Sequence, residues 1–216
     1  MKTIKIAVLI LAVVALCSPM FAQTISAAGP GSDTGPGVYQ LNYFSNRNNA
    51  AGADQTVRII NSGSSGDPLS PTQGFNCANI YTFDDTQEML ECCSCPLSAN
   101  DLLTLSVNNQ LMQNPLTGFP APSNGVIKIV SDYKTKCNAE VLTNPNWQLL
   151  AYGTHIQQPV TGQFVTTETA FTPGYLSSQE QAFLPLACSF VHFLATGKGR
   201  CDCGPADPSH NSYPAQ

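Results

Sequence analysis

The sequence is short of charged residues, which make up only 11% of the chain, with 9 basic and 14 acidic side chains among 216 residues. About a quarter is usual for a globular domain. The basic residues form no run, and the formal net charge is −5 at pH 7. Nucleic acid binding requires a positive patch that displaces counterions from phosphates, so we predict no nucleic acid partner.

Catalytic and cofactor motifs are also lacking. The chain has no G-x-S-x-G nucleophile elbow, no phosphate-binding loop and no dinucleotide fingerprint. Its one C-x-x-C, from Cys92 to Cys95, is followed by Pro96 rather than by the histidine of a haem attachment motif. The sequence therefore predicts no cofactor, and the missing motifs argue against most enzyme classes.

Aromatic residues are sparse at 8%, with a single tryptophan, Trp147. Together with Tyr39, Tyr43 and Tyr152 it could form a sugar-binding face, but a lone tryptophan more often packs in a core. Hydrophobic residues reach 43% of the chain, which is enough to form a core and predicts a folded domain.

A long apolar run occurs only near the N-terminus. Lys2 and Lys5 precede residues 6–16, which are eleven consecutive apolar residues. A membrane-spanning helix needs about 20, so the pattern indicates a signal peptide at residues 1–22. We predict cleavage after Ala22, with a second candidate site a few residues downstream, and no membrane span in the mature chain.

Composition divides the rest of the chain into three parts. Residues 23–37 are rich in Gly, Pro, Ser and Ala and predict a flexible tether. Residues 38–203 contain the periodic segments and the cysteines, and predict a single disulfide-linked domain. Residues 204–216 predict a disordered tail.

Nine cysteines are present. Cys17 lies in the leader, where Leu16 directly before it disfavours lipidation. An even number of cysteines in an exported chain indicates disulfides, although their pairing cannot be read from sequence. The eight cysteines of the mature chain are Cys77, Cys92, Cys93, Cys95, Cys137, Cys188, Cys201 and Cys203.

The cysteines at 92–95 constrain the pairing. Cα atoms of neighbours such as Cys92 and Cys93 lie about 3.8 Å apart, whereas disulfides need about 4.4–6.8 Å. Each is therefore expected to pair with a distant cysteine, and a bridge to the tail would close a loop of about 100 residues, worth about 4–5 kcal/mol. Alternatively, Cys92, Cys93, Cys95, Cys201 and Cys203 could form a metal or redox centre, although zinc ribbons use C-x2-C rather than C-x-C.

Short β-type segments separated by Gly, Pro and Asn turns dominate the mature chain. They predict a mainly β fold, an antiparallel β-sandwich or barrel-like domain stabilised by disulfides. The predicted strands are residues 38–44, 56–61, 78–83, 102–107, 126–131, 147–152 and 163–171.

Two helices are predicted. Asp85 and Glu88 match a capping box for a short helix near 85–92, which would carry Met89 and Leu90 inward. Ser177 and Glu180 match a second capping box, for a C-terminal helix near 178–196.

The C-terminal helix has an apolar stripe expected to face the core. Pro185 should kink this helix or shift its start. Cys188 flanks the stripe and could join the helix to the sheet. The stripe consists of Phe183, Leu186, Ala187, Phe190 and Leu194.

Four acidic residues are candidate ligands or catalysts. Asp84, Asp85, Glu88 and Glu91 lie close together in sequence. Helix capping explains the first three without further assumption. Asp84, Asp85 and Glu88 are also weak candidates for a calcium site, and two of the four could serve as a glycosidase pair.

The three histidines are further candidates for catalytic residues. His155 is predicted to lie in a loop after a strand, where it could act as a catalytic base. His192 is predicted to be a partly buried helix residue, and His210 lies in the predicted disordered tail. None of them belongs to a motif, so we assign no catalytic residue.

The segment at residues 77–96, CANIYTFDDTQEMLECCSCP, resembles a family of uncharacterised exported, cysteine-rich bacterial proteins. LLTLSVNNQL followed by NPLTG, and also GVIKIVS, TTETAF and GRCDCG, extend the resemblance over most of the mature chain. The resemblance implies a secreted, disulfide-bonded domain. The family has no known activity, so no functional residue is carried over.

These observations predict a secreted protein, whether extracellular, on the cell surface or periplasmic, with a structural or adhesive role and no catalytic activity. Its expected partner is a protein, a surface polymer or further copies of the chain. The alternatives are a secreted hydrolase of polysaccharide or ester, which would use acidic residues or His155, and a metal-binding or redox protein that uses the cysteine cluster.

Overall fold

The computed structural model describes residues 36–63, 74–116, 122–134, 136–194 and 197–204. The predicted signal peptide, and with it Cys17, lies outside the described residues, as do most of the predicted tether and all but the first residue of the predicted tail, including His210.

Strands make up 47% of the described chain, which also has one long helix, α1 (Ser178–Leu194), and a single π-helical turn, Val107–Leu111. The first strand already begins at Pro36, so the last two residues of the predicted tether belong to the sheet. The strands are β1 (Pro36–Phe44), β2 (Thr56–Asn61), β3 (Asn76–Asp84), β4 (Met89–Leu97), β5 (Leu102–Ser106), β6 (Gly125–Asp132), β7 (Pro145–Asn146), β8 (Leu149–Val160), β9 (Gln163–Ala170) and β10 (Thr172–Tyr175).

The strands form two antiparallel sheets. The larger sheet has the order β10-β1-β6-β3-β4, with the short β7 paired to the end of β6. The smaller sheet has the order β5-β2-β8-β9. The prediction of a mainly β, antiparallel domain with one C-terminal helix is therefore confirmed.

The main core lies between the two sheets. Along β2 every second residue is buried, which places Val57 and Ile59 on the inner face. They belong to one buried cluster with Ile80, Ile127 and Ile129 of the larger sheet. The two sheets are thus packed face to face as a sandwich.

A second core covers the other face of the larger sheet. Tyr81 and Val130 from the sheet form a buried cluster with Leu184, Cys188 and Val191 of α1. Every residue of β3 except the last is buried, as expected for a strand covered on both faces. The domain consequently has three layers: helix, large sheet and small sheet.

The predicted short helix near 85–92 is wrong, because these residues form the turn and the start of the second strand of a β-hairpin. The Asp84 carboxylate accepts hydrogen bonds from the backbone N–H groups of Thr86 (2.9 Å) and Glu88 (2.8 Å), and Gln87 adopts a positive φ of 75°. Asp84, which directly precedes the two residues that match a capping box, thus stabilises an Asx turn instead, and β3–β4 pairing continues on both sides.

The C-terminal helix begins as predicted. The Ser177 hydroxyl accepts a hydrogen bond from the backbone N–H of Glu180 at 3.1 Å, which is the expected cap. The helix then runs through Pro185 without a shift of its start. In contrast, the predicted strand at 147–152 begins later, because β8 starts at Leu149 and Trp147 precedes it. No helix among the described residues is long and apolar enough to cross a membrane.

A buried carboxylate positions the loop beneath α1. Asp132, at the end of β6, is fully buried and accepts hydrogen bonds from the backbone N–H groups of Thr143 (3.1 Å) and Asn144 (2.7 Å). Lys134 forms an ion pair with the same carboxylate at 3.0 Å. Asp132 therefore closes the loop that carries Glu140 toward the helix.

We predict that Asp132→Ala lowers the free energy of unfolding by about 2–4 kcal/mol, because two backbone donors lose their acceptor and the partly buried Lys134 ammonium loses its counter-charge. Asp132→Asn is the matched control, since its carbonyl oxygen keeps one acceptor, and it should lose less. Urea unfolding of the oxidised protein measures both. Equal stability of Asp132→Ala and the parent would contradict this role of the carboxylate.

Candidate functional site

The alternation of side chains along β4 directs its three cysteines to opposite faces. Cys92 belongs to the buried cluster under α1. Cys95 belongs to the core between the sheets, and Cys93 packs against that core. Because Cys92 and Cys93 point to opposite faces, they pair with cysteines on opposite sides of β4.

The structure joins all eight cysteines of the predicted mature chain in disulfides, and Cys92 and Cys93 pair with distant residues as expected. Two bridges run from β4 to Cys201 and Cys203, each with a sequence separation of 108. Either alone is worth about 4–5 kcal/mol in the chain-entropy model, and the second adds much less because both close nearly the same loop. The pairs are Cys77–Cys137, Cys92–Cys188, Cys93–Cys201 and Cys95–Cys203.

The helix disulfide has a histidine beside it. His192 Nε2 lies 3.2 Å from Cys92 Sγ and 3.9 Å from Cys188 Sγ. Its Nδ1 lies 2.6 Å from Glu140 Oε1, and the imidazole side chain is 8% exposed. The prediction that His192 is a partly buried helix residue is thus confirmed, but its carboxylate and sulfur neighbours were not predicted.

A second sulfur cluster lies on the other side of β4. Cys93 Sγ and Cys95 Sγ are 4.0 Å apart, which brings the two tail disulfides side by side. Within the described chain, two groups have sulfur or imidazole atoms close enough together to hold a metal ion: Cys93, Cys95 and Cys203 here, and Cys92, Cys188 and His192 under the helix.

The four candidate acidic residues do not form one site. Asp84, Asp85 and Glu88 belong to the solvent-facing β3–β4 turn, and they are in neither of the groups of described residues with metal-ligand spacing. Glu91 lies on β4 and is fully buried.

Glu91 is a buried carboxyl group with one unpaired oxygen. Its Oε1 accepts a hydrogen bond from the backbone N–H of Asn114 at 2.5 Å, whereas Oε2 has no hydrogen-bond partner among the described residues. Burial raises the pKa of Glu91 to about 8, and the Asn114 hydrogen bond and the charge of Arg47 oppose this increase. The carboxyl group is therefore mostly protonated at neutral pH.

His155 is not in a loop, which corrects the prediction. It lies within β8, is 1% exposed and stacks on the Tyr43 ring at a centroid distance of 4.0 Å. Its Nε2 is 2.7 Å from Thr169 Oγ1, and desolvation lowers its pKa. The hydrogen-bonded pairing of β8 with β9 extends beyond position 152, so the strand continues where the sequence suggested a turn.

The aromatic residues considered for a sugar-binding face have separate surroundings. Trp147 is 51% exposed, so the expectation that it packs in the core is wrong. Tyr152 is also partly exposed. Tyr39 packs against the cluster under α1, whereas Tyr43 stacks on His155 of the smaller sheet. The structure gives no shared contact that would make these rings one platform.

Four residues of the stripe predicted to face the core lie instead on the exposed side of α1, whereas the fifth, Ala187, packs against the buried cluster under the helix. The helix contacts the sheet through Leu184, Cys188 and Val191. Residues on the opposite side are at least half exposed, and we call them the outer helix face: Phe183 (50%), Leu186 (70%), Phe190 (58%), Phe193 (85%) and Leu194 (50%).

Comparison with protein-family models, curated proteins and solved structures finds no match to this chain. The function must therefore be inferred from the residues and the geometry described above.

We predict that the stability contributed by Glu91 is fully present below pH about 4.5 and is lost as pH rises through about 8. The sign follows because the folded protein binds the Glu91 proton more tightly than the unfolded chain does. Over this interval the loss should be on the order of a few kcal/mol. Urea unfolding at several pH values measures it.

Glu91→Gln is the matched control for this pH dependence, because the amide keeps an oxygen for Asn114 and does not titrate. Its stability should fall less than that of the parent between pH about 5 and about 9. Parallel pH profiles for the two proteins would contradict the assignment.

Proposed function

We propose that this chain is a secreted or cell-surface interaction protein without catalytic activity, and that it binds a second copy of itself through the outer helix face. The observation that carries the proposal is the exposure of five large apolar side chains on one side of α1. A helix that is apolar on both sides is normally covered on both sides.

Leaving this face in water costs free energy that a partner would recover. Burying one Leu or Phe side chain contributes about 1.5–3 kcal/mol relative to leaving it exposed. Large contiguous apolar patches on soluble proteins generally mark interaction sites. Phe193, at 85% exposure, and Leu186, at 70%, would lose the largest exposed fractions of their surface on binding a partner.

The pattern of the face supports a helix of the same kind as the partner. Phe183, Leu186, Phe190 and Phe193 recur at spacings of three and four residues, which is the spacing of helix–helix seams. The 17 residues of α1 correspond to about 25 Å of helix. A two-fold axis across this seam would bring the same residues of two copies together.

The distribution of charge favours self-association through the outer helix face. The chain is acidic, with a net charge of −5, so two copies repel each other over most of their surface. The outer helix face has no ionisable residue. Glu180, which precedes it in sequence, is already paired with Lys128, so contact between two copies of this face brings no like charges of α1 together.

The location is part of the proposal. Four disulfides fit an oxidising compartment, and the predicted signal peptide and the resemblance to exported bacterial proteins support secretion. The hydrolase alternative has no comparable support, because His155 is buried within β8 and paired with Thr169.

Sedimentation velocity of the oxidised chain from residue 23 onward tests the proposal. We expect a concentration-dependent dimer, and Phe193→Asp or Leu186→Asp should weaken the dimer at least about tenfold, because a charge cannot be buried in an apolar seam. The matched control is Val160→Asp, on the 60% exposed end of β8, which should leave the dimer unchanged.

A monomer at all concentrations would overturn the proposal, as would a dimer unaffected by both helix substitutions. Flotation with vesicles of zwitterionic and anionic lipid tests the competing idea of a membrane surface as partner. Vesicle binding that Phe193→Asp abolishes, in a chain that stays monomeric, would reject self-association through this face.

A further inference from the structure

The inner side of α1 contains a group of side chains that the proposed self-association does not use. Cys92 on β4 and Cys188 and His192 on α1 place two sulfurs and an imidazole nitrogen within 4.8 Å of one another. Glu140 lies behind the imidazole. The four residues come from three separate parts of the chain, so only the fold brings them together.

We propose that Cys92, Cys188 and His192 form a binding site for a thiophilic divalent cation such as Zn²⁺ when the Cys92–Cys188 disulfide is reduced. In the oxidised protein the disulfide holds α1 against the sheet. In the reduced protein the metal ion takes over this role, with His192 as the third ligand.

The distances fit such a site. Tetrahedral zinc with Zn–S bonds of about 2.3 Å and Zn–N bonds of about 2.0–2.1 Å separates its sulfur and nitrogen ligands by about 3.6 Å. The Nε2–Sγ distances of 3.2 Å to Cys92 and 3.9 Å to Cys188 lie on either side of that value. The sulfurs must separate once their bond is broken, whereas the imidazole is already in place.

The surroundings of His192 are those of a metal-binding imidazole. Glu140 Oε1 lies 2.6 Å from Nδ1, while Nε2 faces both sulfurs and also lies 3.2 Å from the backbone carbonyl oxygen of Cys92, a contact that metal binding would replace. A carboxylate on the far nitrogen is the usual partner of a histidine that binds zinc, because it fixes the ring orientation and raises the basicity of the ligand. The hydroxyl of Ser189 donates to the other oxygen of Glu140 at 3.4 Å.

Burial also favours the site under the helix over the second sulfur group, which we call the tail cluster and which consists of Cys93, Cys95 and Cys203. Cys92 and Cys188 are fully buried, whereas Cys93 and Cys203 of the tail cluster are partly exposed. The tail cluster also has no imidazole among its candidate ligands. Three protein ligands leave a fourth position of the tetrahedron for water.

A dithiol is a suitable reductant for the Cys92–Cys188 disulfide. The dithiol supplies two electrons and two protons, so the Cys92–Cys188 bond breaks to give two thiols and the dithiol becomes a disulfide. Zn²⁺ then binds both sulfurs as thiolates, and the two thiol protons are released to solvent.

Protection from alkylation tests the site in the chain from residue 23 onward. The protein is reduced with a phosphine, which is converted to its oxide and binds zinc weakly, and is then treated with iodoacetamide with and without Zn²⁺. Peptide mapping by mass spectrometry reports each cysteine separately. We expect Zn²⁺ to slow alkylation of Cys92 and Cys188 at least about tenfold, because metal-bound thiolates are shielded.

Variants separate this site from the tail cluster. His192→Ala should abolish the protection of Cys92 and Cys188 and leave any protection of Cys93 and Cys95 unchanged. Glu140→Gln should weaken zinc binding about 10–100-fold. His155→Ala, a buried histidine of the smaller sheet, is the matched control and should behave like the parent.

Equal alkylation of Cys92 and Cys188 with and without Zn²⁺ would overturn the proposal, as would protection that persists in His192→Ala. Should reduction unfold the chain, Zn²⁺ must restore helical circular dichroism and protection together in the parent and not in His192→Ala. Failure to restore them would also overturn it. The oligomeric state of the oxidised protein does not affect these results.

Discussion

The alternation of side chains along β4 is the constraint on which the rest of the structure depends. Side chains alternate along a strand, so Cys92 lies on the helix side of the larger sheet. Cys93 and Cys95 lie on the other side, where they bond to Cys201 and Cys203. A shift of β4 by one residue would reverse these directions and leave both the helix and the tail without their covalent attachment. The β3–β4 pairing thus has to be in register before the disulfides can form correctly.

Attachment of α1 through Cys188 also decides which side of an apolar helix is buried. Hydrophobicity alone does not determine which side is buried, because both sides are apolar, with Leu184 and Val191 on one and Phe190 and Phe193 on the other. The position of the cysteine resolves the ambiguity, since Cys188 must face β4 and carries Leu184 and Val191 inward with it. The bulkier side of the helix is exposed as a consequence.

Sequence patterns predicted those features that depend on neighbouring residues. The alternating segment at 56–61 matches β2 because one face of that strand packs in the core. The helix predicted near 85–92 is wrong because an acidic residue before a turn can either cap a helix or form an Asx turn. Pairing of this segment with β3 favours the Asx turn. The Glu140–His192 contact joins residues 52 positions apart, and no local pattern could have predicted it.

The two sides of α1 are physically coupled, because each turn of the helix contributes to both. His192 contacts Cys92 and Glu140 on the inner side, while Phe193, the next residue, is the most exposed member of the outer helix face. Any change in how α1 is held at Cys188 therefore moves the surface that we propose for self-association. A metal ion bound by Cys92, Cys188 and His192 would preserve the position of the helix, whereas reduction without metal would leave it attached by packing and by noncovalent contacts such as that between Glu140 and His192. Under these two proposals, the redox state of one disulfide would affect how firmly the outer helix face is held.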